Sequence, residues 1–150
     1  GQTPFAVFTR GYYTRTCLTA YYLKDTDGDG VGDEIAEYWA FDTNDAGSEY
    51  EAQGNHGLSV NDIDNDGKDE IIYGSLTIDH DGTVKYSTGM GHGDAMHVSD
   101  WVSWNDGLEV MAQSSGQLQA LHMKAMMNLR GILQMVKYIP PGQHWTTLLS

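Results

Sequence analysis

Apolar positions in this 150-residue chain come mostly in short runs. Residues 5–8, 18–23, 37–41, 58–60, 70–73, 76–78, 84–86 and 108–111 read as strands. They are rich in β-branched and aromatic side chains, and Gly/Asp clusters separate them at roughly ten-residue spacing. This is the pattern of an all-β sandwich, barrel or propeller. The last quarter differs. Leu121, Ala125, Leu129, Leu133 and Val136 fall at helical spacing within 119–137, and Pro140-Pro141 follows, which predicts an amphipathic helix. No Asp or Glu occurs after Glu109. The chain therefore divides into 1–111, β-patterned, and 112–150, an atypical tail with two readings: a helical segment, or sequence foreign to the fold from a frameshift or a junction.

Charge sharpens the picture. The formal net charge is −13, from 21 acidic and 8 basic side chains. Such a surface repels nucleic-acid phosphate and anionic lipid and suits a protein that holds cations. Seven of the carboxylates fall in two short runs, 25–33 and 62–66. Cys17 is the single cysteine, so no internal disulfide forms. No stretch approaches the roughly 18 apolar residues of a membrane helix. Gly1-Gln2-Thr3-Pro4 lacks the basic start and apolar core of a signal peptide, which suggests a mature or truncated N-terminus.

Asp62-Ile63-Asp64-Asn65-Asp66-Gly67-Lys68-Asp69-Glu70 places carboxylates at alternating positions before a glycine. Calcium takes about six to eight oxygens, and Asp at i, i+2 and i+4 of a tight turn aims three carboxylates at one point. The carbonyl of Lys68 and the carboxylate of Glu70 complete the candidate shell. Position twelve, where an EF-hand carries a bidentate Glu, is Tyr73, so the expectation is a strand–loop–strand calcium hairpin. The other reading is a solvated acidic turn. The run 25–33 repeats the pattern with Asp25, Asp27, Asp29, the carbonyl of Val31 and Asp33, against a flexible Gly-rich tip as the alternative. Asp79-His80-Asp81-Gly82 offers two carboxylates and reads as a plain turn.

Two further segments are too polar for strand surfaces: Gly54-Asn55-His56-Gly57 and Ser87 through His97. Glycines flanking a histidine let backbone approach a ligand closely. His92, Asp94 and His97 are candidates to converge on a metal or an anionic sugar. For each histidine alone, a hydrogen-bonded turn residue is the competing reading.

Thr9-Arg10-Gly11-Tyr12-Tyr13, Gln53-Gly54-Asn55-His56, residues 62–72, Tyr86-Ser87-Thr88-Gly89 and Gly91-His92-Gly93-Asp94-Ala95-Met96-His97 together resemble consecutive motifs of the rhamnogalacturonan lyases of polysaccharide lyase family eleven. Order and spacing agree from about Phe5 to Met111. The resemblance implies about two blades of an eight-bladed β-propeller holding several calcium ions. It further implies a secreted, extracellular bacterial enzyme, monomeric at full length, that cleaves the rhamnogalacturonan backbone of pectin by β-elimination. On that reading Arg10, Asn55, His56, His92, Asp94 and His97 contact substrate. Asp25, Asp27, Asp29, Asp33, Asp62, Asp64, Asp66, Lys68 and Glu70 hold calcium, and the catalytic base, a Lys or Arg, lies elsewhere. Arg10 has an alternative in an ion pair with a loop Asp. Two departures stand out: 25–37 is longer and more acidic than the family pattern, and nothing after Met111 resembles it, which favours the foreign reading of the tail. Two other functions remain in view. One is a non-catalytic calcium-stabilised propeller or carbohydrate-binding or adhesion module. The other is a zinc hydrolase using His56, His92 and His97.

Overall fold

The computed structural model describes residues 4–101, 104, 107–114 and 117–122. It is all-β, with ten strands among the described residues. β1 (Phe5–Arg10), β2 (Cys17–Lys24) and β3 (Glu34–Asp42) form one antiparallel sheet. β4 (Ser59–Asn61), β5 (Glu70–Tyr73), β6 (Leu76–Ile78) and β7 (Val84–Ser87) form an up-and-down four-stranded sheet. β8 (Gly93–Ser99), β9 (Glu109–Ser114) and β10 (Gln117–His122) form the third. One helical turn, α1 (Thr43–Ala46), and a 3-10 turn at Ser48–Tyr50 follow β3.

The middle sheet is packed on both faces. Ile71, Tyr73, Leu76 and Ile78 meet Leu18 and Phe41 of the first sheet. Ile72, one residue out of phase, meets Val110 of the third, with Ile63 beside it. Side chains alternate across a strand, so β5 and β6 read as continuous apolar runs because both sides are dry. All residues from Glu70 to Ile78 are buried.

The β1–β2 turn is fixed by Gly11, at φ 79°, where a Cβ would lie 2.0 Å from the Arg15 carbonyl oxygen. Asp42 locks the same end of the sheet. It caps α1 by accepting from the Asn44 amide at 3.0 Å, and it takes both Nε and Nη2 of Arg15.

Most expected strands appear within a residue or two. Two differences matter. Gly93–Ser99, read in the sequence only as a ligand segment, is also a strand, because its polar residues face outward from a sheet that β9 completes. Residues 119–122, the start of the expected helix, are strand instead, since Gln117–His122 pairs antiparallel with β9. The rest of that helix, 123–137, lies outside the described residues.

Candidate functional site

Both acidic runs are hairpin tips, between β2 and β3 and between β4 and β5, and they fold the same way. In the first, Asp25 Oδ2 accepts from the Gly30 amide at 2.8 Å, Asp27 from Asp29 at 3.2 Å, and Asp29 from Val31 at 2.8 Å. In the second, Asp62 Oδ2 accepts from Gly67 at 3.0 Å, Asp64 from Asp66 at 3.1 Å, and Asp66 from Lys68 at 2.8 Å. The closing carboxylate also repeats. Asp33 accepts from the Thr26 amide at 3.2 Å, and Glu70 from the Ile63 amide at 2.9 Å. Gly30 and Gly67 sit at φ 87° and 86°, the left-handed backbone the tip requires. Asn65, at φ 63°, stands where the first loop has Gly28.

This backbone cradle gathers charge. One carboxylate oxygen from each of Asp25, Asp27 and Asp29 lies within 4.8 Å of the others, and the same holds for Asp62, Asp64 and Asp66. The Gly30 and Gly28 amides hold Asp25 below the usual carboxylate range. Asp33 is not drawn into the first group; its carboxylate takes the Thr26 hydroxyl at 2.7 Å. Glu70 is 0% exposed, and its Oε1 has no hydrogen-bond partner. Burial raises its pKa. The donors are hard oxygens, and a fully buried carboxylate oxygen with an unused lone pair suits a hard cation, so the residues fit calcium. The Lys68 ammonium lies 2.8 Å from His80 Nε2 and 3.9 Å from Asp66 Oδ2, so only its backbone carbonyl is a candidate donor to a cation.

The turn read as plain from sequence adds groups to this end of the sheet. Lys85 Nζ lies 2.5 Å from Asp64 and 3.1 Å from Asp79. Its hydrogen bond lowers the pKa of Asp64. His80, with Asp66 and Glu70, makes a further group whose donor atoms fall within 4.8 Å. The Trp39 indole donates to the His80 carbonyl at 2.9 Å, pinning the turn to the first sheet.

A second cluster forms where the 54–57 and 91–94 segments meet. Asn55 bridges to Gly93 in parallel register, and the Gly93 amide donates to Gly54 O at 3.2 Å. Buried Gln53 accepts from the Gly91 amide at 3.0 Å, so the glycine-rich backbone is held from below. His56, His92 and Asp94 converge there, with donor atoms within 4.8 Å of one another. His92 Nδ1 lies 3.0 Å from Gly54 O; a carbonyl only accepts, so Nδ1 carries the proton and donates. In the neutral ring Nε2 then presents a lone pair. It is buried, has no hydrogen-bond partner, and stands 3.4 Å from Asp94 Oδ1. His56 Nε2 lies 3.5 Å from the same oxygen. Lone pairs facing a carboxylate repel, so the arrangement is satisfied by a positive species among them: a proton, or a cation that in turn holds an anion.

Tyr12 and Tyr13 wall the cluster. Tyr12 stacks on His92 at 5.0 Å and 22°, and Tyr13 lies 4.4 Å from the same ring. Sequence reasoning gave these tyrosines no role, since two aromatics after a glycine turn carry no periodicity. His97 is exposed on β8, opposite Met111, and stays outside the cluster. Arg10 is exposed at the end of β1 and makes no ion pair among the described residues. Asn55 is 1% exposed, and its amide nitrogen is unpartnered.

Residues 1–133 match the family model for rhamnogalacturonan lyase family 11, C-terminal domain. The chain is 54% identical over 111 residues to rhamnogalacturonan exolyase YesX of Bacillus subtilis, covering 73% of this chain and 17% of that protein. It is 48% identical over 111 residues to rhamnogalacturonan endolyase YesW of the same organism, with the same coverage. The crystal structure of rhamnogalacturonan lyase YesW superposes with a TM-score of 0.70 at 42% identity, over 80% of this chain and 20% of that one. The chain thus spans less than a fifth of the length of its curated relatives.

Proposed function

Because the chain belongs to rhamnogalacturonan lyase family 11, we propose that its protein cleaves the rhamnogalacturonan backbone of pectin by β-elimination at galacturonate, outside the cell. The reading also takes these sheets as part of an eight-bladed β-propeller that is a monomer at full length. The observation that carries it is the convergence of His56, His92 and Asp94 against two tyrosines.

In β-elimination a base takes the proton at C5 of the uronate, and the bond from C4 to the glycosidic oxygen breaks. Charge gathers on the carboxylate next to C5 as the proton leaves. The cluster's task is to bind that carboxylate and stabilise its growing charge. Through Nδ1 His92 donates to Gly54 O, which fixes the ring with Nε2 toward Asp94. Tyr12 and Tyr13 supply flat apolar faces for a sugar ring. The C5 base is assigned to none of these residues.

Asp62, Asp64, Asp66, Glu70 and the Lys68 carbonyl would hold calcium in the β4–β5 loop, and Asp25, Asp27 and Asp29 in the β2–β3 loop. Calcium there supplies charge neutralisation and rigidity. Removing divalent cations with a chelator is expected to lower the melting temperature of the whole natural protein, since a ligand at a hundred times its Kd stabilises by about 2.7 kcal/mol. Differential scanning calorimetry checks this. Calcium should restore the loss and zinc should not; melting indifferent to chelator removes the calcium assignment.

A further test adds no polar group. A Cβ on Gly54 would lie 2.4 Å from Tyr73 Cε1 and 3.0 Å from Tyr12 Cβ. Gly54→Ala should push Tyr12 off its seat and lower kcat/KM about tenfold through misplacement alone. The enzyme reading itself is tested by ultraviolet absorbance of unsaturated uronate when the whole protein meets rhamnogalacturonan. Binding with no rise in absorbance would favour a carbohydrate-binding module instead.

A further inference from the structure

The two acidic loops share one hydrogen-bond pattern but differ in what neutralises them. No Lys or Arg pairs with Asp25, Asp27 or Asp29 among the described residues, and all three are exposed. At the β4–β5 loop, Lys85 reaches in from β7. Its ammonium contacts Asp64 at 2.5 Å and Asp79 at 3.1 Å, and stands 3.6 Å from Glu70 Oε1. Its side chain is 14% exposed and that of Glu70 is 0%. Glu70 Oε1 is fully buried and makes no hydrogen bond, and a Glu70 carboxylate oxygen falls within the group formed with Asp66 and His80. That oxygen calls for a cation, and Lys85 answers it only at ion-pair distance.

We propose that Lys85 is a resident counter-cation of the β4–β5 loop: it keeps the loop closed without metal, so that only the β2–β3 loop depends on calcium for its order. This rests on the calcium reading above. A divalent ion at Asp62, Asp64, Asp66 and Glu70 shares Asp64 and Glu70 with the ammonium. The ion therefore adds to a tip already held, whereas at Asp25, Asp27 and Asp29 it meets carboxylates with no other cation.

Amide hydrogen exchange on the whole natural protein, with calcium or with chelator, reads both loops at once. In the unmodified protein, chelator should speed exchange at Gly28 and Gly30 about tenfold or more and leave Asp66 and Gly67 protected. In Lys85→Gln, chelator should open Asp66 and Gly67 as well, and calcium should close them again. Lys85→Arg, which keeps the charge, should behave as the unmodified protein. Unchanged protection of Ile71, Ile72 and Thr77 shows that the sheet is intact in each variant. Protection of Asp66 and Gly67 surviving chelator in Lys85→Gln overturns the proposal and leaves the calcium reading standing. Failure of calcium to close the loop in Lys85→Gln also overturns it. If Gly28 and Gly30 ignore calcium too, the calcium reading falls with it.

Discussion

His92→Ala is expected to lower kcat/KM of the whole protein on rhamnogalacturonan by about 10²–10³-fold, the usual cost of removing one preorganised group that stabilises developing charge. The ring does two things at once. Its Nδ1–H is anchored on Gly54 O, and its Nε2 faces Asp94 beside His56 Nε2. Alanine removes both, and also removes the surface on which Tyr12 stacks. His92→Asn separates them, because its amide can still donate to Gly54 O but offers no ring lone pair toward Asp94. If Nε2 is what counts, His92→Asn should be nearly as inactive as His92→Ala. Loss concentrated in kcat places the contact in the transition state, and loss in KM alone places it in substrate binding. His97→Ala, exposed on β8 and outside the cluster, should change the rate by less than about threefold. Initial rates of uronate absorbance measure all three; His92→Ala retaining a third of the activity would remove the cluster from the reaction.

Some of this site was legible in the sequence. The Asp-x-Asp-x-Asp-Gly spacing is local, so the loop geometry follows from a few residues. The repeated amide acceptance by Asp25 and Asp62, and by Asp33 and Glu70, is local too. What lies across the sheet was not legible. Lys85 meets Asp64 from 21 positions away, and Trp39 meets His80 from 41. Neither pairing leaves a periodic trace. The histidine segments were recognised as special, and His56, His92, Asp94 and His97 were all read as site residues. The Asn55–Gly93 bridge brings His56 to His92 and Asp94, whereas His97, further along β8, stays outside that group. The expected helix failed for 119–122 because this stretch holds only Leu121 of the helical repeat, too little for periodicity to fix its state, and pairing with β9 decides it.

The strand runs themselves said where β5 and β6 lie but not how deeply, and Leu76 tests the depth. It is 0% exposed, in β6, among Leu18, Phe41, Ile71, Tyr73 and Ile78. Leu76→Ala is expected to cost about 2–5 kcal/mol, the transfer energy of the lost methyls plus the cavity left behind. The upper part of that range applies here, because both neighbouring strands, β5 and β7, are held in register with β6 and cannot close over the gap. Against a total stability of about 5–15 kcal/mol, this removes a large share. Leu76→Met, nearly isosteric, should cost under about 1.5 kcal/mol. The same cavity undercuts Tyr73, whose ring backs Gly54 and whose hydroxyl donates to Gly11 O at 3.3 Å, so loosening it disturbs the seat of Tyr12. Urea denaturation should therefore show a lower midpoint at an unchanged slope. Substrate affinity should fall in Leu76→Ala but not in Leu76→Met. A midpoint shift equivalent to less than 1 kcal/mol, taking about 1 kcal/mol as the common cost of any substitution, would place Leu76 outside the core that links the first sheet to the second.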